Sequence, residues 1–294
     1  MYPKVSVIIR ASEKCTYLSQ AIESVTGQTY PNIEIIIADE YAHLAGRAES
    51  PEAIIEKYSR LCDITYLSGA SSLNAAIEKS TGEYTAFLEE SGEYFNQYLE
   101  CHLKFMMMHK LSFSYSDTSK FIKGGKSFHT KISDNITDWS ADTMFRNHIA
   151  IGISPLSSFM FRRDFLIEIG GFRNAGSGRN YMLVYDAIEY NRTHPEARLG
   201  YFPCSYISFN PDVNEKSDSA QRIKNENELY AVKLAGAEKL DNEDKKYIDF
   251  RHYAVLARIA LQDKNTKETI KNLFKAFMIS PDFTLTQFKK VKPD

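Results

Sequence analysis

The first hundred residues alternate short apolar runs with helical patterns, and this alternation constrains the fold more than any other feature of the chain. The apolar runs occupy residues 5–9, 33–38, 64–67 and 84–88. The first of these runs, residues 5–9, is typical of a strand that is buried on both faces of a parallel sheet, and the other three also predict strands. Strand, helix and strand in repeated succession predict right-handed βαβ units. Because ligands bind at the carboxyl ends of such strands, the loops after Ile9, Ala38 and Leu88 are the expected location of a functional site.

Composition excludes several classes of protein. The chain has 294 residues, of which 43% are hydrophobic and 25% charged, as in an ordinary globular protein. The formal net charge of −2 gives no global basic field, so we expect no nucleic-acid partner. The four cysteines form no C-x-x-C pair, and no apolar run reaches the 18 residues of a transmembrane helix. A cytoplasmic protein without a transmembrane segment is therefore expected.

Beyond residue 95 the pattern is less regular. It predicts a helix over 95–109, strands over 111–115 and 159–162, and helices from 164 and over 180–192, whereas the polar segment 116–150 is typical of a mobile loop. From residue 219 the chain is predicted to be wholly helical. We therefore divide it into an α/β domain over 1–218 and a C-terminal helical extension over 219–294, which ends in a tetratricopeptide-like hairpin. The apolar stripe of the last helix consists of Ile270, Leu273, Phe274, Phe277 and Met278. One such pair cannot form a solenoid, so it is expected to pack on the domain or on a partner.

Three sequence blocks resemble family 2 glycosyltransferases of the GT-A fold and follow that family's order. They are residues 5–40 (VSVIIRASEKCTYLSQAIESVTGQTYPNIEIIIADE), 73–91 (LNAAIEKSTGEYTAFLEES) and 160–174 (MFRRDFLIEIGGFRN). The resemblance implies a GT-A-like, Rossmann-type three-layer α/β domain with a mostly parallel central sheet, followed by the helical extension. It also implies transfer of a sugar, with inversion, from a nucleotide-diphosphate donor to an acceptor hydroxyl in glycan or polysaccharide assembly.

The resemblance assigns donor-binding positions. Asp39 stands where the family holds the nucleoside, and Arg10, Glu40 and Asn74 join it as the predicted nucleotide-binding residues. The family's metal-binding Asp-x-Asp motif aligns with Glu89, Glu90 and Ser91. Glu89 and Glu90 are thus the candidate ligands of Mg²⁺ or Mn²⁺. Because Ser91 replaces an aspartate, and Mg²⁺ demands near-ideal geometry, we expect weakened metal binding.

The position of the general base is altered as well. The family's Glu-Asp pair aligns with Arg179 and Asn180, and neither side chain accepts a proton at neutral pH. Asn180 therefore occupies the base position and the base is unassigned; Asp186, the nearest downstream carboxylate, is predicted to point elsewhere. Arg179 offers a second possibility, because a guanidinium can pair with phosphate directly in place of a cation.

Two functions remain open at this point. The first is an active glycosyltransferase, whose partners are a nucleotide-sugar donor and a glycan, lipid-linked or protein acceptor. The alternative is a catalytically inactive glycosyltransferase-like protein that acts as a binding or scaffold subunit for another glycosyltransferase. Residues 264–294 carry seven lysines and three acidic residues, which favours either a solvated face or peripheral contact with the inner face of a membrane.

Overall fold

The fold is described from a computed structural model, which describes residues 2–44, 47, 50–60, 62–122, 126–130, 139–151, 155–174, 176–209 and 218–281. Its core is a seven-stranded sheet. The four N-terminal strands run parallel and confirm the sequence prediction: β1 Val5–Arg10, β2 Ile33–Asp39, β3 Ile64–Ser68 and β4 Tyr84–Glu89.

Three later strands complete this sheet: β6 Phe113–Ser116, β9 Phe159–Arg162 and β10 Leu199–Phe202. β9 is antiparallel to both β4 and β6, and β10 is parallel to β6. The strand order of the main sheet is therefore β10-β6-β9-β4-β1-β2-β3. A second, four-stranded sheet has the order β5-β11-β7-β8 and consists of β5 Gly92–Tyr94, β7 Thr118–Ile122, β8 Lys126–Thr130 and β11 Ile207–Phe209.

Helices cover both faces of the main sheet and make three layers. One face carries α1 Leu18–Thr26, α2 Pro51–Tyr58 and α4 Tyr98–His109; the other carries α3 Ser72–Lys79, α5 Ala141–Ile151, α6 Arg163–Glu168 and α7 Arg179–Thr193. Because successive strand residues point to opposite faces, Val7 and Ile9 of β1 enter the first core and Ile8 enters the second. This architecture confirms the expected mostly parallel α/β fold.

The segment 116–150 corrects the sequence prediction, because it is not a long loop. It contains β7, β8 and α5. The sequences of β7 (TSKFI) and β8 (KSFHT) mix polar and apolar residues, as strands of a small sheet do, and so lack the apolar runs that mark the main sheet. Residues 123–125 and 131–138, which belong to the same predicted loop, lie outside the described part of the chain.

The C-terminal extension contains α8 Ser219–Gly236, α9 Asn242–Gln262 and α10 Thr266–Ile279. Leu240 and Ile248 of this extension are buried in the same core as α7, so the extension packs on the main domain. α9 and α10 form a helical hairpin, connected by residues 263–265. No helix within the described ranges is both long and apolar enough to cross a bilayer.

The apolar stripe of α10 does not pack on the described part of the main domain, which leaves the other expected position, against a partner, open. Thr269, Asn272 and Ala276 are the buried residues of α10, and they allow close packing on α9. Four of the five stripe residues face solvent: Ile270, Phe274, Phe277 and Met278 are between 40% and 66% exposed, while Leu273 is half-buried. The hairpin therefore presents an apolar surface that the described residues leave uncovered.

Candidate functional site

Charged side chains from three parallel strands and one helix meet at the carboxyl edge of the main sheet. Arg10 ends β1, Glu89 ends β4, and the two residues are partners in the β1–β4 register. Glu40 directly follows β2. Arg179, the first residue of α7, donates to both carboxylate oxygens of Glu40, at 2.5 Å from Nη1 and 2.6 Å from Nη2. The edge predicted from the sequence therefore carries a cluster of two arginines and two glutamates.

Arg10 lies between the two glutamates of this cluster. Its Nε donates to Glu40 at 3.3 Å, and its Nη1 lies 3.5 Å from Oε1 of Glu89. Burial raises the pKa of Glu89, while Arg10 and Arg179 act in the opposite direction. All four side chains keep between 12% and 26% exposure, so a ligand can reach them. We call Arg10, Glu40, Glu89 and Arg179 the edge cluster.

Asp39, the predicted nucleoside ligand, is completely buried at the end of β2. Arg47 donates two hydrogen bonds to its carboxylate, at 2.5 and 2.8 Å, and Tyr66 Oη and the Tyr41 N–H donate one each. Burial alone would raise the pKa of Asp39, but these hydrogen bonds outweigh it and hold the pKa below its ordinary value. A carboxylate has about four lone-pair sites, so all of them are engaged. A nucleoside contact to Asp39 therefore requires Arg47 to move.

Arg47 is a site residue that the sequence analysis missed. Besides Asp39, its guanidinium binds the carbonyl oxygens of Ser12 and Glu13, so it connects the loop after β2 to the loop after β1. Its side chain is only 8% exposed. A single arginine in a loop carries no periodic or motif signal, and its place eight residues after Asp39 was the one available clue.

Glu90, a predicted metal ligand, supports the loop after β1. Its carboxylate accepts hydrogen bonds from the Ser12 N–H at 2.7 Å, Ser12 Oγ at 2.9 Å and the Tyr17 N–H at 3.1 Å. Tyr17 is the N-cap residue of α1 and makes no side-chain cap, so Glu90 supplies the acceptor that this helix start lacks. Ser91 lies in the turn between β4 and β5.

Asn74 ties α3 to the segment after α6. Its amide donates to the Phe172 carbonyl at 2.8 Å and accepts from the Phe172 N–H at 2.9 Å. Gly171 precedes this contact with φ +63°, and a Cβ there would lie 2.8 Å from Asn74 Oδ1. The two requirements explain why glycine occupies that position. Asn74, Phe172, Arg179 and Glu40 line a cavity of about 270 Å³, so this predicted residue lies beside the edge cluster.

The start of α7 provides no carboxylate at the position expected for a general base. Asn180 follows Arg179 there, and the next acidic residue of the helix is Asp186. Asp186 is buried and accepts a hydrogen bond from Arg173 at 2.5 Å. Burial, opposed by Arg173, raises its pKa to about 6. Arg173 lines the cavity while Asp186 does not, so Asp186 is connected to the cavity only through that arginine.

Comparison with known proteins now identifies the family. Residues 6–170 match the model of glycosyl transferase family 2, which is more than half of the chain. The chain belongs to this family. A curated relative, the putative teichuronic acid biosynthesis glycosyltransferase TuaG of Bacillus subtilis, is 30% identical over 130 residues, which are 42% of this chain and 50% of TuaG. The chain spans between about a fifth and a half of the length of the curated relatives it matches first.

Solved structures confirm the GT-A fold of this family 2 member. TarS 1–349 of S. aureus, in complex with UDP-GlcNAc, has a TM-score of 0.60 at 12% identity and covers 96% of this chain and 82% of its own. The mannosyltransferase PcManGT of Pyrobaculum calidifontis, in complex with GDP-Man and Mn²⁺, has a TM-score of 0.60 at 13% identity and covers 99% of this chain and 79% of its own. At such low identity these matches establish the fold alone.

Proposed function

We propose that the protein transfers a sugar from a nucleotide-diphosphate donor to an acceptor hydroxyl in glycan or polysaccharide assembly. The observation that carries this proposal is the edge cluster beside a cavity, at the carboxyl edge where sheets of this type bind ligands. Family membership supports it, as does the similarity to TuaG, a putative teichuronic acid biosynthesis glycosyltransferase. The neighbours that hold UDP-GlcNAc and GDP-Man support a nucleotide-sugar as the donor.

The reaction is a displacement at the anomeric carbon of the sugar. The bond from that carbon to the β-phosphate oxygen breaks, and its electron pair leaves with the nucleoside diphosphate. The acceptor oxygen forms the new bond and gives its proton to solvent. In this proposal the edge cluster binds the diphosphate, whose negative charge grows as it leaves, and the Asp39–Arg47 pair holds the nucleoside side of the site.

A divalent cation, which the family resemblance implies, would find a poor set of ligands in this chain. Glu90 uses its carboxylate on Ser12 and Tyr17, and Ser91 is neutral. Glu89 is the remaining carboxylate of the motif, and Arg10 lies against it. Within the described ranges no three His, Cys, Asp or Glu side chains converge to hold an ion. These residues do not fit Mg²⁺ or Mn²⁺, which prefer several oxygen ligands.

Calorimetric titration with UDP-sugars and GDP-sugars, combined with an assay for released UDP or GDP, tests the proposed function. We expect one nucleotide class to bind and to turn over. Asp39→Asn should abolish turnover, since it removes the charge that orients Arg47, whereas the matched control Tyr66→Phe removes one hydrogen bond to the same carboxylate and should retain most of the activity. A folded protein that binds no sugar nucleotide would contradict the proposal and favour the scaffold alternative.

We also propose that the exposed stripe of α10 contacts an anionic membrane surface. Ile270, Phe274 and Met278 are each more than 60% exposed. Contiguous exposed apolar patches often mark a surface that binds a partner or a membrane. The same helix carries three lysines against one acidic residue, Glu268. An apolar face flanked by lysines is the pattern of an interfacial helix, and each lysine near anionic lipid contributes about 1 kcal/mol. This charge complementarity favours anionic lipid as the occupant.

Sedimentation with vesicles of phosphatidylglycerol and phosphatidylcholine tests the membrane contact. We expect binding that weakens with added salt, that is lost with phosphatidylcholine alone, and that is reduced by Met278→Ser combined with Phe274→Ser. Met108→Ser is the matched control, because Met108 on α4 is equally exposed at 71%. Absence of binding, or equal binding by the α10 variant, would contradict the proposal. Self-association that the α10 variant abolishes would assign the surface to a second copy of the chain.

A further inference from the structure

We propose that the guanidinium groups of Arg10 and Arg179 bind the donor diphosphate in the place that a divalent cation takes in metal-dependent transferases. This inference rests on the proposed function and deepens it, because it makes donor binding independent of metal. Two of the three positions aligned with the metal-binding motif, Glu90 and Ser91, provide no free carboxylate. Two arginines, by contrast, lie at the same sheet edge.

The geometry places both guanidinium groups within one small cluster. Each is anchored on the same carboxylate, since Glu40 accepts two hydrogen bonds from Arg179 and one from Arg10. Arg179 begins α7, so it lies at the positive end of that helix's dipole. Arg179 also lines the cavity, which gives a ligand access to it.

The charges suit a diphosphate. Two arginines carry the same total charge as one divalent cation, and each presents a planar fork that matches phosphate oxygens. Without ligand, Glu40 and Glu89 neutralise them, as the ion pairs show. A diphosphate would replace carboxylate oxygens as the acceptor at these forks. Glu89 then becomes a competing negative charge rather than a ligand of the donor complex.

This role of Glu89 separates the inference from the metal-dependent alternative. If Glu89 held a cation, Glu89→Gln would weaken nucleotide binding. If the arginines bind the diphosphate, Glu89 competes with it for Arg10, because both are negatively charged. Glu89→Gln removes this competing charge and should tighten UDP binding by about fivefold. The two mechanisms therefore predict opposite signs for the same substitution.

The first experiment is calorimetric titration of the full chain with UDP, UMP, GDP and GMP, in EDTA and again with Mn²⁺. We expect a diphosphate to bind in EDTA, to gain little from Mn²⁺, and to bind more tightly than its monophosphate. Binding that appears only with Mn²⁺ would overturn the inference and leave the proposed function intact. A folded protein that binds no nucleotide in either buffer would remove both.

The second experiment compares arginine variants. Arg10→Gln and Arg179→Gln should each weaken binding of the diphosphate at least about tenfold, because each removes charge-assisted hydrogen bonds, and should change monophosphate binding much less. The diphosphate affinity of Arg179→Lys should lie between those of the wild type and Arg179→Gln, since lysine keeps the charge and lacks the planar guanidinium. Arg192→Gln is the matched control: this arginine lies near the other end of α7 and pairs with Asp142 and Glu189.

The outcomes are decisive because folding is monitored in parallel. Thermal unfolding identifies a variant that fails to fold, and Arg10→Lys and Arg179→Lys then replace the glutamine variants. Diphosphate affinity that is unchanged in folded Arg10 and Arg179 variants would overturn the inference. Weaker UDP binding by Glu89→Gln would overturn it as well. Selective loss of diphosphate affinity, together with tighter binding by Glu89→Gln, would support it.

Discussion

Asp39 and Arg47 form the most buried ion pair of the site. Arg47 donates two hydrogen bonds to the carboxylate and two more to backbone carbonyls, so few of its N–H groups are left to solvent. A buried ion pair contributes little more to the free energy of unfolding than apolar side chains of similar size would. Loss of one partner, however, leaves the other charge buried and unpaired in a low-dielectric environment. The pair therefore fixes the loops around the site more than it stabilises the fold as a whole.

Replacement of Arg47 by methionine should destabilise the protein by about 3–5 kcal/mol, because Asp39 is left buried and uncompensated. The double variant Asp39→Asn/Arg47→Met should recover much of that loss. Urea unfolding, followed by circular dichroism, measures both. If the single and double variants were equally destabilised, the two residues would not act as a pair.

Asp186 should make stability depend on pH. Its pKa of about 6 lies above the ordinary value, so between about pH 4 and 6 the folded chain binds a proton that the unfolded chain releases. Stability therefore falls as pH rises through that window. Asp186→Asn should raise stability at pH 7 by about 1 kcal/mol, less than a fully desolvated carboxylate would give. The difference from wild type should vanish near pH 4, as denaturant titrations at the two pH values would show.

At the scale of elements, predictability from sequence follows burial. β1 to β4 were predicted correctly because helices cover both faces of the sheet, which favours strands made mostly of apolar residues. β7 and β8 were missed because strands of mixed polarity leave no such run. The stripe of α10 was predicted to pack on the domain or on a partner; α10 packs on α9 through small and polar residues, and the partner alternative stays a prediction.

The site could be predicted only in part, for a related reason. Asp39, Glu40 and Glu89 follow apolar strands, so their place at the sheet edge can be read from the sequence. The partner of Glu40, Arg179, is 139 residues away, and no local pattern indicates such a contact. Glu90 was predicted as a metal ligand because the motif specifies residue types, whereas the turn geometry decides where each carboxylate points.

Glu90→Gln tests the view that Glu90 caps α1. The substitution keeps the size of the side chain but removes one of the two carboxylate oxygens that accept hydrogen bonds from Ser12 and Tyr17. It should lower the free energy of unfolding by about 1–2 kcal/mol. Glu93→Gln, an exposed neighbour in β5, should cost almost nothing. UDP affinity of the folded Glu90 variant should match wild type. Loss of UDP affinity at unchanged stability would instead indicate that Glu90 binds the ligand.

At the scale of the whole molecule, the helical extension packs against the segment that carries Arg179. α8 packs on the turn Gly176–Gly178 that leads into Arg179, and on α7 through Tyr185 and Gly236. Lys233 of α8 lies over the ring of Tyr181, the residue that directly follows Asn180. We therefore expect the position of Arg179 to depend on α8; both lie beyond the residues matched by the family model.

Gly178 and Val232 provide a direct test of that dependence. A Cβ on Gly178 would lie 3.0 Å from Cγ2 of Val232, so in Gly178→Ala the Val232 side chain, or α8 with it, must give by a few tenths of an ångström. We expect a loss of about 1–2 kcal/mol in stability and weaker UDP binding, because Arg179 follows directly. Val232→Ala removes the colliding methyl groups, and the double variant should recover UDP affinity relative to Gly178→Ala alone. Urea unfolding and UDP titration of the four proteins complete a double-mutant cycle. Independent, additive effects would show that α8 does not set the position of Arg179, since a shared contact must produce coupling.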